Sequence, residues 1–383
     1  MKRKKKIIIM TSDGGGGHKS VSKALEQFLQ PDYSVKRENL ILGILHSLDP
    51  IRKISFNKCT GEDFYDYCLK RKWVYITNNL VRLGRRLILF SSGPIERLLG
   101  IYLDQEKPDM IISVMPFFNF AFFKEAKKRK IPFIIVTNDL DSSNYPLGLH
   151  NPQYDKFKYI LTFDDKDVKK KISKANFNSD QVISLGFPLR PDFFDKKNVK
   201  NIKKDFNIPL NKPVAMLLMG ATGSDSGYVY AKHISKINFS LHLVICLGKN
   251  QKLGNKIAKL KLNNNVSIST VGFTDRISDL MAASDLVITK SGPNSVVESI
   301  YMNKPVLIDN TNSILFWEQL NLDFVTKNNF GEPIKRYEDI NPLLDKYLRD
   351  KEYYSKIKKN LTTFKKINFG ASIKSLVTSM LQQ

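Results

Sequence analysis

Short, unbroken runs of apolar residues recur along this chain, separated by longer stretches of mixed character. In the first half, Lys5 to Met10, Met110 to Val114, Phe133 to Thr137, Tyr159 to Phe163 and Gln181 to Leu185 each read as a strand covered on both faces. The segments between them carry helical spacing, which together with the runs makes the βαβ alternation of a parallel sheet. The alternation pauses over Gly186 to Lys212, where Pro188, Pro191, Pro209 and many lysines give the composition of an exposed connection. A second series follows at Val214 to Met219, Leu241 to Leu247, Val266 to Val271, Asp285 to Thr289 and Pro305 to Ile308. The pattern predicts an α/β protein of two Rossmann-like domains facing a cleft. The domains are expected at 1–190 and 213–350, joined by a linker at 191–212 and followed by C-terminal basic helices at 351–383.

With 383 residues, 42% of them hydrophobic, the chain can bury two cores. No run of eighteen apolar residues occurs, and the basic start Met1 to Lys6 passes at once into Ile7-Ile8-Ile9-Met10 and glycines. A membrane span and a secretory leader are therefore not expected, and a cytoplasmic location is. Cys59, Cys68 and Cys246 are too few and too irregularly spaced for a disulfide framework or a zinc site, so no metal is expected. Sixty-one Lys and Arg against 37 Asp and Glu give a formal charge of +24, which draws anionic lipid, nucleic acid or phosphorylated substrates. Basic motifs interleaved with aromatics are missing, which argues against nucleic acid as a partner. From Asn79 to Leu103, apolar residues alternate with Arg82, Arg85, Arg86 and Arg97, and Gly93-Pro94 divides the stretch. This is the composition of a basic amphipathic segment at a lipid headgroup zone, or of a helix pair packed on the first sheet.

The first strand runs into Thr11-Ser12-Asp13-Gly14-Gly15-Gly16-Gly17-His18, followed by a helical stretch. Glycines at such a turn let backbone amides approach a ligand, and the helix N-terminus favours negative charge there. The spacing matches neither the dinucleotide fingerprint nor a P-loop. His18, in the first helical turn, is positioned to act as a general base on a hydroxyl near neutral pH, or to cap the helix. Asp13 either orients His18 or shapes the turn. Gly15, Gly16 and Gly17 are expected on the acceptor side, with Asp139 after the third strand.

The most specific stretch is Val271 to Ser299. Its strand ends in Lys290-Ser291-Gly292-Pro293-Asn294-Ser295, a turn opening a helix, where amides and hydroxyls converge as a diphosphate requires. Glu298 follows on that helix, as acidic residues do at other ribose sites. The stretch resembles the nucleotide-binding segment of glycosyltransferase family 28, particularly its diacylglycerol glycosyltransferases. The resemblance implies a GT-B fold, a ribose contact for Glu298, and the backbone of Gly272 and Phe273 against the base. It implies donor-sugar contacts for Glu318 and Asn321 in Trp317-Glu318-Gln319-Leu320-Asn321, and diphosphate contacts for the loop holding Gly220, Thr222 and Gly223. In the first domain, Thr137-Asn138-Asp139 is similar to the family's strand ending in Thr-Asp, with Asn138 inserted or substituted. Gly186-Phe187-Pro188 is similar to its Gly-x-Pro connection. Met115 stands where lipid-glycosylating relatives tend to carry His before Pro, and Tyr145 to His150 keeps fragments of their acceptor loop.

The reading this supports is a UDP-sugar-dependent hexosyltransferase of EC 2.4.1 type. It would transfer with inversion to a lipid, diacylglycerol by resemblance, peripherally on the cytosolic face of an anionic membrane. No cofactor is expected beyond the UDP-sugar co-substrate. The alternatives are a UDP-N-acetylglucosamine transferase or 2-epimerase of the same fold, and a non-catalytic basic membrane-binding protein.

Overall fold

A computed structural model describes residues 3–12, 14, 16–71, 73–221 and 223–382. The chain divides into two units: the first runs to Pro191 and takes in Leu315–Trp317 and the terminal segment from Ile367; the second holds Asp192–Ile314 and Glu318–Lys366.

In the first unit, strands β1 (Lys6–Thr11), β2 (Ser34–Asn39), β3 (Met110–Ser113), β4 (Phe133–Val136), β5 (Phe157–Leu161) and β6 (Val182–Ser184) form one parallel sheet. Its order is β2-β1-β3-β4-β5-β6. Ile7, Ile8, Ile9 and Met10 are wholly buried because helices cover both faces of a parallel sheet, which is why an apolar run marks the strand. β2 breaks that pattern: it lies at the sheet edge, carries Lys36, Arg37 and Glu38, and has no buried residue, so its hydrophobic signal is missing.

The second unit repeats the plan with β7 (Val214–Leu218), β8 (Leu241–Gly248), β9 (Val266–Gly272), β10 (Leu286–Thr289), β11 (Val306–Asp309) and β12 (Gly331–Ile334), in the order β12-β11-β10-β7-β8-β9. β12, four residues with a proline, is again an edge strand that periodicity does not reveal.

Each sheet reverses its direction of growth once. The reversal falls between β1 and β3 in the first unit and between β7 and β10 in the second. At such a crossing, loops leaving the carboxyl ends of neighbouring strands run to opposite faces and open a crevice, the usual ligand position in open α/β sheets.

The segment expected as a linker is largely folded onto the second unit. The Asn198 side chain caps the helix Val199–Asp205 by accepting from the Asn201 amide. Lys197 pairs with Asp279 at 2.8 Å, and Ser278 donates to Asp192 at 2.6 Å. The basic C-terminal stretch forms two helices that part company. Lys351–Thr363 stays with the second unit, whereas Phe369–Gln382 returns to the first, setting Phe369 against Phe28 of the helix Gly17–Leu29 with ring centroids 6.4 Å apart.

The arginine-rich stretch forms the helices Val74–Phe90 and Ser92–Glu106, which part at Ser91, just before Gly93-Pro94. The second buries Ile95, Leu99 and Leu103, as a packed amphipathic helix does. The first buries Thr77 alone and leaves Tyr75, Leu83, Leu87 and Phe90 exposed. Among the described residues, no helix is long and apolar enough to cross a membrane.

Candidate functional site

In the second unit the β10 strand ends at Thr289, beside Leu218 at the end of β7. The Thr289 hydroxyl lies 2.8 Å from the Leu218 carbonyl and 2.7 Å from Ser295 Oγ. A carbonyl only accepts, so the Thr289 hydrogen goes to Leu218 and Ser295 donates to Thr289. This ties the start of the helix Pro293–Tyr301 to both strands of the crossing. Gly292 takes the cap position in extended backbone and Pro293 the first helical one. A glycine cap brings no side chain, so the first-turn amides and the positive end of the helix are left for a ligand. Glu298 lies on the next turn and is buried; Lys290 is exposed at the turn.

The turn itself is braced from outside the contiguous motif. Ser291 is buried; its hydroxyl donates to Glu318 Oε2 at 2.7 Å, and its carbonyl accepts from Asn321 Nδ2 at 2.6 Å. Burial raises the pKa of the Glu318 carboxyl above the ordinary glutamate value, opposed by the Ser291 hydroxyl and the charge of Lys290. Asn321 is wholly buried, and its amide nitrogen donates to the Ser291 carbonyl, so it braces the turn from beneath. Glu318 shares that bracing through one carboxylate oxygen.

The glycine loop after β7 is equally constrained. Gly220 and Gly223 have φ of 87° and 68°, and the Gly223 amide donates to the Gly220 carbonyl at 3.1 Å. A methyl group at Gly223 would run into the Leu247 carbonyl, so only glycine allows this loop to lie against the turn after β8. The Lys249 amide, donating to the Ala221 carbonyl at 3.0 Å, joins the two turns. Thr222 lies outside the described residues. Gly272 ends β9 at the sheet edge, and Phe273 beyond it is 61% exposed, with Lys249 Nζ 5.7 Å from its ring centroid.

In the first unit, Asp13 and Gly15 lie outside the described residues. Gly16, at φ 77°, turns the chain into the helix that begins at Gly17, and its carbonyl accepts from the Ser20 amide. His18 follows and reaches across the crossing: Nδ1 lies 2.8 Å from the carbonyl of Val114, the residue after β3. Because that carbonyl can only accept, Nδ1 carries the hydrogen and Nε2 keeps its lone pair. The Asn138 amide nitrogen lies 3.2 Å from the same Nδ1. Burial pushes the His18 pKa down to about 4, with the Val114 carbonyl pulling the other way. The ring is therefore neutral at physiological pH, with Nε2 unprotonated.

Asp139 lies at the end of β4, with the Tyr145 hydroxyl 3.3 Å from its Oδ2. Asp141, two residues on, is buried, pairs with Lys171 at 2.7 Å and accepts from the Ser143 amide. Among the described residues, no group of three His, Cys, Asp or Glu side chains is placed to hold a metal ion. Met115 is buried; its backbone amide donates to Ser113 Oγ and its carbonyl accepts from Asn119 Nδ2. The sequence reading missed the Val114 carbonyl and Tyr145 as partners of this site. Asn138 was visible only as a departure from a motif.

Comparison with known proteins agrees with this geometry. Residues 225–310 match the glycosyltransferase family 28 C-terminal domain, a span that includes the β10 turn and Glu298. The chain is 25% identical over 307 residues to the processive diacylglycerol beta-glucosyltransferase of Bacillus subtilis, covering 79% of this chain and 75% of that protein. It is 27% identical over 263 residues to the chloroplastic monogalactosyldiacylglycerol synthase of Spinacia oleracea, covering 65% of this chain and about half, 48%, of the spinach protein. The structure of MurG from Acinetobacter baumannii superposes with a TM-score of 0.64 at 12% identity, covering 98% of this chain and 99% of that one. Two parallel sheets with helices, together with that likeness, make the fold GT-B.

Proposed function

The matches support assigning the chain to glycosyltransferase family 28 as a hexosyltransferase, and from that premise we propose that it moves a hexose from a UDP-sugar to a lipid hydroxyl, with inversion, at a membrane surface. One observation carries this reading: each sheet sets ligand-building groups at its single crossing. The second unit offers an open helix N-terminus with Glu298 one turn on, and the first offers a neutral imidazole.

In this reading the second unit holds the donor. First-turn amides of the helix Pro293–Tyr301 and the Gly220–Gly223 loop meet the diphosphate, and Glu298 takes the ribose hydroxyls. The first unit holds the acceptor. His18 Nε2 removes the hydroxyl proton as the oxygen attacks the anomeric carbon and the bond from that carbon to UDP breaks. The proton rests on the imidazole, whose Nδ1–H stays on the Val114 carbonyl. The negative charge gathers on UDP, where the helix terminus stabilises it.

Diacylglycerol as the acceptor is supported by the names of the two enzyme relatives. A peripheral membrane position is supported by the helix Val74–Phe90, whose exposed Tyr75, Leu83, Leu87 and Phe90 stand among Arg82, Arg85 and Arg86. The test is to incubate the purified chain with labelled UDP-glucose, UDP-galactose and UDP-N-acetylglucosamine and mixed lipids, and to identify the product. A glycolipid supports the reading. A free 2-epimerised sugar nucleotide replaces it with an epimerase, and UDP-sugar binding without any product replaces it with a non-catalytic role.

A further inference from the structure

Among the described residues, the four most exposed large apolar side chains are Phe90, Phe56, Tyr75 and Ile54, between 80% and 88% exposed, and all four belong to the first unit. Tyr75 and Phe90 lie at the two ends of the helix Val74–Phe90. Ile54 and Phe56 lie elsewhere, at the apex between the short helix Pro50–Ile54 and the helix Gly61–Lys70. That apex is a closed turn rather than a slack loop. Phe56 and Asn57 both hold left-handed backbone, at φ 50° and 64°, which a bulky side chain adopts only where its surroundings impose it. Here hydrogen bonds within the turn impose it. The Ser55 hydroxyl donates to the Cys59 carbonyl at 2.8 Å and accepts from the Cys59 amide at 3.0 Å. The Asn57 amide donates to the Arg52 carbonyl at 2.8 Å, and the Asn57 side-chain oxygen accepts from Arg52 Nε at 2.9 Å. The Phe56 and Lys58 amides find the Lys53 and Ser55 carbonyls at 3.3 and 3.1 Å. The turn thus satisfies these polar groups from within, while Ile54 and Phe56 stand in solvent.

The charge around the apex has one sign. Arg52, Lys53 and Lys58 flank the two apolar residues, and no acidic residue lies between Asp49 and Glu62, nor between Asp66 and Glu96. Asp49 itself is buried, its carboxylate accepting from the amides of Ile51, Arg52 and Gly61. We propose that the Ile54–Phe56 apex is a wedge that enters an anionic lipid surface, a point of contact additional to the helix Val74–Phe90. Leaving water favours the two apolar side chains, and the peptide groups that go with them cost little because their hydrogen bonds are already made within the turn. The long side chains of Arg52, Lys53 and Lys58 keep their charges at the phosphates. A second copy of the chain is a poorer occupant, since two faces of the same positive sign repel.

This inference rests on the membrane position proposed above, so its test reads binding and insertion apart from transfer. The full chain is floated with vesicles of equal parts phosphatidylcholine and phosphatidylserine, at low and high salt, as wild type and as Ile54→Ser with Phe56→Asn. Asparagine suits the left-handed position, so the double variant keeps the turn and its circular dichroism should match wild type. Partitioning is expected to fall about tenfold or more, with the loss concentrated in the binding that survives high salt. Emission from Phe56→Trp, measured against wild type with its Trp73 and Trp317, should shift to the blue on vesicles and be quenched by lipids brominated in the upper acyl chain. Wild-type partitioning by the double variant, or an unmoved Phe56→Trp emission, would overturn the wedge, whether or not labelled glycolipid forms in the same tubes. A wild-type chain that ignores vesicles and forms a dimer in light scattering, which the double variant does not form, would overturn it by giving the apex to a second copy. Insertion without any glycolipid product leaves the wedge standing and removes the proposed transfer.

Discussion

At the β7–β10 crossing, the ligand turn Lys290 to Ser295 is contiguous in the chain, and its braces, Glu318 and Asn321, lie 27 and 30 positions from Ser291. At the β1–β3 crossing, His18 meets the Val114 carbonyl 96 positions away and the Asn138 amide 120 positions away. In the proposed function the second unit draws its specificity from a strand–turn–helix whose backbone binds the donor. The first spends it on one titratable ring whose character depends on groups brought in from distant loops. Residues 225–310, which carry the family match, include that turn.

The largest test of that contrast is His18→Ala. Transfer is expected to fall about 10²- to 10⁴-fold, the usual worth of a general base, while calorimetry finds UDP affinity unchanged. Undiminished transfer would leave the first crossing without its chemical role. Glu298→Ala is the mirror experiment: UDP affinity should weaken roughly 10- to 100-fold, as for lost hydrogen bonds to a charged group, with His18 titrating as before.

Two further measurements sharpen the comparison. The reaction should be insensitive to the His18 protonation state from pH 8 to pH 6. A depressed pKa leaves the competent neutral form populated in that range, and kcat/KM should decline only as pH approaches about 4. An acid limb near 6.5 would mean that burial does not govern the ring. Asn321→Leu leaves the Ser291 carbonyl unpaired, at a cost of roughly 1–3 kcal/mol, and should lower the melting temperature by about 2–4 °C per kcal/mol. A changed donor KM with no loss of stability would return Asn321 to the sugar. The smallest effect is expected outside both crossings. Arg85→Glu with Arg86→Glu should weaken binding to anionic vesicles by roughly 1 kcal/mol or more per site and reduce its salt dependence, without altering UDP affinity.

Much of the fold is legible in the order of residues. Ten of the strands are legible as apolar or β-branched runs: eight are inner strands covered on both faces, and the edge strands β6 and β9 still carry Val and Ile, whereas the missed edge strands β2 and β12 have polar or short sequences. The β10 turn and Glu298 are legible for a related reason: their geometry comes from one strand, one glycine cap and one proline in succession. The helix Val74–Phe90 is less so, since the same amphipathic pattern suits packing and exposure alike, and only the structure separates it from its packed neighbour Ser92–Glu106.

By itself, then, the sequence determines two doubly wound α/β units, the position of the strand–turn–helix proposed to bind the nucleotide and the presence of an imidazole at a glycine bend, because hydrophobic period and turn chemistry are local properties. Only the tertiary structure decides what that imidazole is. Its tautomer, its depressed pKa and its amide neighbour arise from desolvation and from hydrogen bonds closed across the sheet, and the same closure assigns Asn321 to the underside of a turn. These are properties of the space between distant segments, which no stretch of the chain contains.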